Sequence, residues 1–138
     1  MKIWMDSEFN GFGGELISIA LVDENRCGFY GSLGCKDPMP WVAENVMPFL
    51  GTEPIGRPTL QRELQAYLSK YSTIELIADW PEDIAHFCGL MIVRPGECMT
   101  LPPLTMTLCS YAAVPSELPH NAYHDALALR QAAMEIAP

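Results

Sequence analysis

The segment MDSEFNG, Met5 to Gly11, places Asp6 and Glu8 two positions apart in a run that otherwise reads as a strand. Side chains at i and i+2 of a strand point to one face, so the two carboxylates stand side by side and repel each other. At a solvated sheet edge such acidic pairs are common. Here Ile3, Trp4, Met5 and Phe9 are large and apolar at both parities, the mark of a central strand in which unpaired carboxylates are costly. A bound cation resolves the conflict. Carboxylate oxygens are hard ligands that select Mg²⁺ or Mn²⁺, and a two-metal hydrolytic centre, with ions about 3.5–4 Å apart, needs further carboxylates from elsewhere in the chain.

Two later segments can supply them. In ADWPEDIAHF a strand pattern ends at Asp79 and a helix begins near Asp83; in HNAYHDAL, Asp125 falls in the first turns of the terminal helix, with His120 just ahead of it. Each acid also has an ordinary use: Asp79 and Glu82 as loop charge or helix cap, Asp125 against the positive end of a helix macrodipole. Asp83 is preferred to Asp79 because it opens the helix. His124, one residue from Asp125 on a helix, points elsewhere and reads as a surface or packing histidine. His86 reads as helix packing, and Trp41 as filler between helix and sheet. Phe9, Asn10 and Phe12, which follow the first acidic pair, and Trp80, beside the second segment, are candidates to hold a terminal nucleotide by stacking or through the glycine-rich turn.

The elements that must position these residues begin with three β-patterned runs, KIWMDSEF, ELISIALV and RCGFYGS, whose short turn-rich links predict an antiparallel meander. ELISIALV is apolar on both faces apart from Ser18, so helices must cover the sheet on both sides. Helices are expected over PWVAENVMPFL, over TLQRELQAYLSKY with Thr59 as N-cap, over EDIAHFCGLM, and from about Asn121 to Ile136. Further strands are expected at TIELIAD and Leu104 to Leu108. This order is α/β, with later strands free to join the first in parallel.

With 138 residues, 49% of them hydrophobic, the chain suits one domain, residues 1–138, around a single core. Its 17 acidic and 8 basic residues give a net charge of −9, which excludes gripping nucleic acid through a diffuse basic surface. Nucleic-acid binding would have to be local or metal-assisted. The five cysteines form no CxxC pair and are odd in number, so reduced thiols are expected rather than a disulfide framework or thiolate zinc site. No apolar stretch reaches the roughly 18–20 residues of a membrane span, and MKIWMD lacks the form of a leader. No membrane association and a cytoplasmic location are therefore expected.

DSEF, PEDIAHF and HNAYHDA together resemble the three motifs of DnaQ-like 3′-5′ exonucleases of the DEDDh type. The third motif of that superfamily, H-x-A-x-x-D-A, is matched by His120, Ala122, Asp125 and Ala126. Similarity extends over most of the chain to a compact bacterial 3′-5′ exoribonuclease branch, in which runs like ELISIALV and WVAENVMPFL occupy corresponding places. The second motif departs from the family, lacking its Asn and Phe.

The resemblance implies a ribonuclease-H-like mixed sheet, three antiparallel strands plus further strands parallel to the first, flanked by helices. It implies two divalent cations, Mg²⁺ or Mn²⁺, with Asp6, Glu8 and Asp125 on one, Asp6 bridging to the second, and Asp83 supporting the second. His120 would be the general base. The implied activity is metal-dependent release of nucleoside 5′-monophosphates from single-stranded RNA or an RNA 3′ overhang, with DNA as an alternative substrate and a homodimer as an expected assembly. A proofreading-type exodeoxyribonuclease and a non-catalytic acidic interaction module on the same fold are the competing expectations.

Overall fold

The computed structural model of the protein describes residues 1–110 and 115–136. In chain order its elements are β1 (Lys2–Phe9), β2 (Leu16–Asp23), β3 (Gly28–Ser32), α1 (Pro40–Asn45), α2 (Arg57–Leu68), β4 (Ile74–Ala78), α3 (Pro81–Met91), β5 (Ile92–Arg94), β6 (Glu97–Cys98), β7 (Leu104–Leu108) and α4 (Ala122–Ile136). Five strands make one mixed sheet in the order β3-β2-β1-β4-β7. The first three are antiparallel, whereas β4 joins β1, and β7 joins β4, in parallel. This is an α/β arrangement compatible with the ribonuclease-H-like fold, with β1 at its centre.

Strand parity sorts β1 between two layers of helix. Ile3 and Met5 face a core built with Leu60, Leu64 and Leu68 of α2 and Phe87 and Leu90 of α3. Trp4 points the other way, against Ile77 and Leu129, and on that same face Ala20 and Val22 meet Ala122 and Ala126 of α4. All eight residues of β2 are buried, as a strand covered on both faces must be. Asp6 and Glu8 share the parity of Trp4, so they emerge on the α4 side.

An irregularity beside Glu8 adjusts this pattern. Glu8 pairs with Ser18 but Phe9 pairs with Leu16, which leaves Ile17 as the extra residue of a bulge. Leu16 thereby joins the α2–α3 core while Ile17 turns to Val42, Val46 and Leu50.

Three boundaries differ from those expected. The helix over PWVAENVMPFL stops at Asn45 and is followed by a 3-10 turn at Met47–Phe49, because Pro48 has no N–H to continue the ladder. Thr59 does not cap α2; the helix starts at Arg57 with Gly56 at the cap, since Pro58 fits a first turn whose N–H groups need no partner. Finally, β5 and β6 form a hairpin that the proline-rich stretch hid, turning at Pro95 and Gly96 with Gly96 at φ +77 and closed by an Arg94–Glu97 ion pair of 2.7 Å. No described helix is long and apolar enough to cross a membrane.

Leu64 is fully buried between α2 and the sheet. Leu64→Ala is expected to lower the unfolding free energy by about 2–5 kcal/mol in urea titration, with the slope of the transition unchanged.

Candidate metal centre

The parallel ladder between β1 and β4 runs only from Lys2 opposite Glu75 to Trp4 opposite Ile77. The second half of β1 therefore outruns its neighbour, and the chain leaving β4 at Ala78 delivers Asp79 and the start of α3 into the space beside it. Asp83, in the first turn of α3, is 2% exposed. Its Oδ1 accepts bonds from the Ser7 backbone N–H (3.2 Å) and from the Ser7 hydroxyl, which pins α3 against β1. Carboxylate oxygens of Asp6, Asp79 and Asp83 all lie within 4.8 Å of one another.

On the α4 side a second group forms, with donor atoms of Glu8, His120 and Asp125 also mutually within 4.8 Å. Asn121, buried, fixes the entry to α4. Its Oδ1 accepts from the Tyr123 and His124 backbone N–H groups at 3.1 and 3.2 Å, as an N-cap does, while its Nδ2 donates to the Phe49 carbonyl at 2.8 Å. His120 then takes a left-handed backbone, φ +66, uncommon for a residue with a Cβ and of the kind that collects at functional sites. Its N–H donates to Asp125 Oδ2 at 3.0 Å.

Asp83, the expected second-motif acid, and Asp79, its alternative, both converge with Asp6. The grouping is by side of the strand end, Asp6 with Asp79 and Asp83, and Glu8 with His120 and Asp125, rather than Asp6, Glu8 and Asp125 together. The two groups still act on each other through Asp6, which feels Asp83, Glu8, Asp125 and Asp79.

No lysine or arginine balances these charges: the ion pair among the described residues is Arg94–Glu97, on the β5–β6 hairpin. Asp6 Oδ2 and Asp83 Oδ2 are buried with no hydrogen-bond partner among the described residues. Burial, reinforced by Asp83, Glu8, Asp125 and Asp79, holds Asp6 well above the usual carboxylate range. Burial and then Asp125 and Asp83 push Glu8 up to about 8. Asp83 rises to about 7, chiefly by burial, although its bonds from Ser7 oppose the rise. Asp79 and Asp125 are also raised, again mainly by burial. Unpartnered buried oxygens and an oxygen-rich donor set with one imidazole fit hard divalent cations.

Around this centre the aromatic residues are distributed unevenly. Phe9 packs on His86, centroids 5.2 Å apart, which accounts for that histidine. Phe12, 86% exposed, and Trp80, 46% exposed, lie 6.0 Å apart as an open pair. Glu82 braces them, accepting from Gly13 N–H (2.7 Å) and from Trp80 Nε1–H (3.3 Å). Asn10 has its amide committed within the protein, donating to the Asp37 carbonyl at 3.0 Å and accepting from Met39 N–H at 2.8 Å.

Trp41 does not fill a gap between helix and sheet. It is 55% exposed, because α1 turns Val42 and not Trp41 inward, and its ring meets His120 edge-on at 4.9 Å. Ser7 and Asn121 are supporting residues without a role in the sequence analysis, and Glu82, expected as loop charge or helix cap, instead binds Gly13 and Trp80. Asn121 carried a signal, an Asn directly before a helix; Ser7 carried none, since its parity points it away from Asp6. No protein-family model and no curated protein matches the chain.

The raised acids dictate a pH dependence. A carboxyl whose folded pKa exceeds its unfolded value holds more protons when folded, so its contribution to stability is present at low pH and is lost as pH rises from about 4 toward 8. Chelator-treated protein is expected to melt at a lower temperature at pH 8 than at pH 5.5, and Mn²⁺ is expected to raise the pH 8 value most. Calorimetric scans across this range check both trends.

Proposed function

We propose that the chain is a metal-dependent 3′-5′ exonuclease that shortens single-stranded RNA or RNA 3′ overhangs and releases nucleoside 5′-monophosphates. The observation that carries the reading is the convergence of Asp6, Glu8, Asp79, Asp83, Asp125 and His120 at one strand end with two buried carboxylate oxygens unpartnered. Asp6, Asp79 and Asp83 would hold one Mg²⁺ or Mn²⁺ ion, and Glu8 and Asp125 the other. Bound there, such ions supply an acidified water and positive charge against the scissile phosphate and departing 3′ oxygen.

The chain's own groups do the rest. His120, whose ring nitrogen lies with Glu8 and Asp125, would take the proton of the attacking water. Trp41 limits the rotation of that ring from one side, and the Asn121 cap sets its height above the acids. Phe12 and Trp80 offer exposed faces on which a base at the 3′ end can stack, an interaction worth about 1–3 kcal/mol per base and indifferent to sequence. Positive charge confined to the acid cluster reconciles a polyanionic substrate with a net charge of −9. The preference for RNA rests on the similarity of the chain, in runs such as ELISIALV and WVAENVMPFL, to the compact bacterial exoribonuclease branch.

Digestion of 5′-labelled RNA and DNA of identical sequence, with Mg²⁺ or Mn²⁺, tests the proposal. A ladder shortening from the 3′ end is expected, faster on RNA. Asp6→Asn should abolish it, and His120→Ala should slow it about 10²–10⁴-fold. No ladder with either metal, or full activity in Asp6→Asn, contradicts the reading; faster cleavage of DNA reassigns the substrate.

A further inference from the structure

Behind the acid centre, α4 presents a second face. His124, Leu127, Ala128 and Gln131 follow the i, i+3, i+4, i+7 spacing of one helical stripe, and they line a cavity of about 350 Å³ together with Arg26, Arg130, Pro115 and Glu117. In a protein with 8 basic residues, two arginines converge here, each without a carboxylate in ion-pair reach among the described residues. Arg130 is held by its side chain and Arg26 by the backbone of its turn. Arg26 rides on the β2–β3 turn with φ +65, and that turn is tied by Asp23 Oδ1, which accepts from the Asn25 and Cys27 backbone N–H groups at 2.8 Å each. Arg130 donates Nε–H to the Asp23 carbonyl at 3.0 Å and Nη2–H to the Glu24 carbonyl, with its guanidinium 5.9 Å from the Trp4 ring.

Those bonds leave Arg130 Nη1 without a partner among the described residues. Backbone carbonyls orient the guanidinium without neutralising it. Against two guanidinium charges the lining sets one carboxylate, Glu117, and His124 adds a further donor. Gln131 turns its Nε2–H to Glu135 at 3.0 Å, and Leu127 and Ala128 provide apolar floor.

We propose that this cavity binds the phosphate ester of a nucleotide. Guanidinium groups are the side chains best matched to phosphate, the apolar floor suits a sugar or base edge, and the volume is that of a small-ligand site. The phosphate comes either from a free nucleoside monophosphate or from the backbone of a single strand passing over α4. The proposal does not depend on hydrolysis at the acid centre.

Calorimetric titration of chelator-treated protein tests it, because without divalent ions the acid centre repels phosphate. Adenosine 5′-monophosphate is expected to bind saturably and more tightly than inorganic phosphate. Arg26→Gln, at an exposed turn position, should weaken binding about tenfold, and Glu117→Gln should tighten it. Arg62→Gln, which makes the same change in net charge on α2, should leave it unchanged. A trinucleotide that binds more tightly than the monophosphate assigns the cavity to a strand; equal or weaker binding assigns it to the free nucleotide. Absence of metal-independent binding, or equal affinity in Arg26→Gln and native protein, overturns the proposal. Ladder formation by Arg26→Gln in Mn²⁺ separates this result from failure of the exonuclease reading.

Discussion

Mutual repulsion among carboxylates at the end of β1 is the constraint around which the rest is arranged. Two unit charges within 4.8 Å repel by on the order of 3 kcal/mol at an effective dielectric constant of about 20, and each three-residue group puts its donor atoms within that distance. Burial, with this repulsion added to it, displaces Glu8 and Asp83 toward neutral pH, and proton uptake relieves both in the absence of metal. A divalent cation relieves it without protons. Among the described residues, two buried carboxylate oxygens of this cluster have no partner within the chain.

The scaffold that sustains this is a strand buried on both faces. Odd residues of β1 anchor it to α2 and α3, and Trp4 anchors it to α4, so the strand end cannot relax away from the crowding. Two side chains close the cluster from opposite directions. Ser7 binds Asp83 from the face opposite Asp6, and Asn121 caps α4 so that Asp125 and His120 meet Glu8. The bulge at Ile17 keeps the meander in register with both helical layers.

Much of this was legible in the sequence because it is periodic. Alternation in KIWMDSEF and the unbroken apolar run of ELISIALV sufficed for a central meander covered on both sides, and helical spacing marked α2, α3 and α4. Proline defeated the boundary readings: Pro48 breaks the first helix, Pro58 starts the second earlier than Thr59, and Pro95 conceals a hairpin. The acids were legible as chemistry, since each stands at an element's end in a pattern with few structural uses. Their supports were not. Ser7 reaches Asp83 across 76 positions of sequence, and Trp41 meets His120 only because α1 happens to turn Val42 inward. Contacts of that kind are set by how layers stack, which no local pattern encodes.

The distribution of charge follows the same logic. On the proposed function, an acidic chain acting on phosphate would concentrate positive charge locally in two places: at cations held by the carboxylate cluster, and at Arg26 and Arg130 on the far side of α4, the latter oriented by backbone carbonyls. The central claim is that the cluster exists to hold divalent cations. Anomalous diffraction from crystals grown with Mn²⁺ tests it most directly. The account predicts two peaks, one among Asp6, Asp79 and Asp83 and one beside Glu8 and Asp125. A crystal with no anomalous peak between these carboxylates at millimolar Mn²⁺ would contradict it.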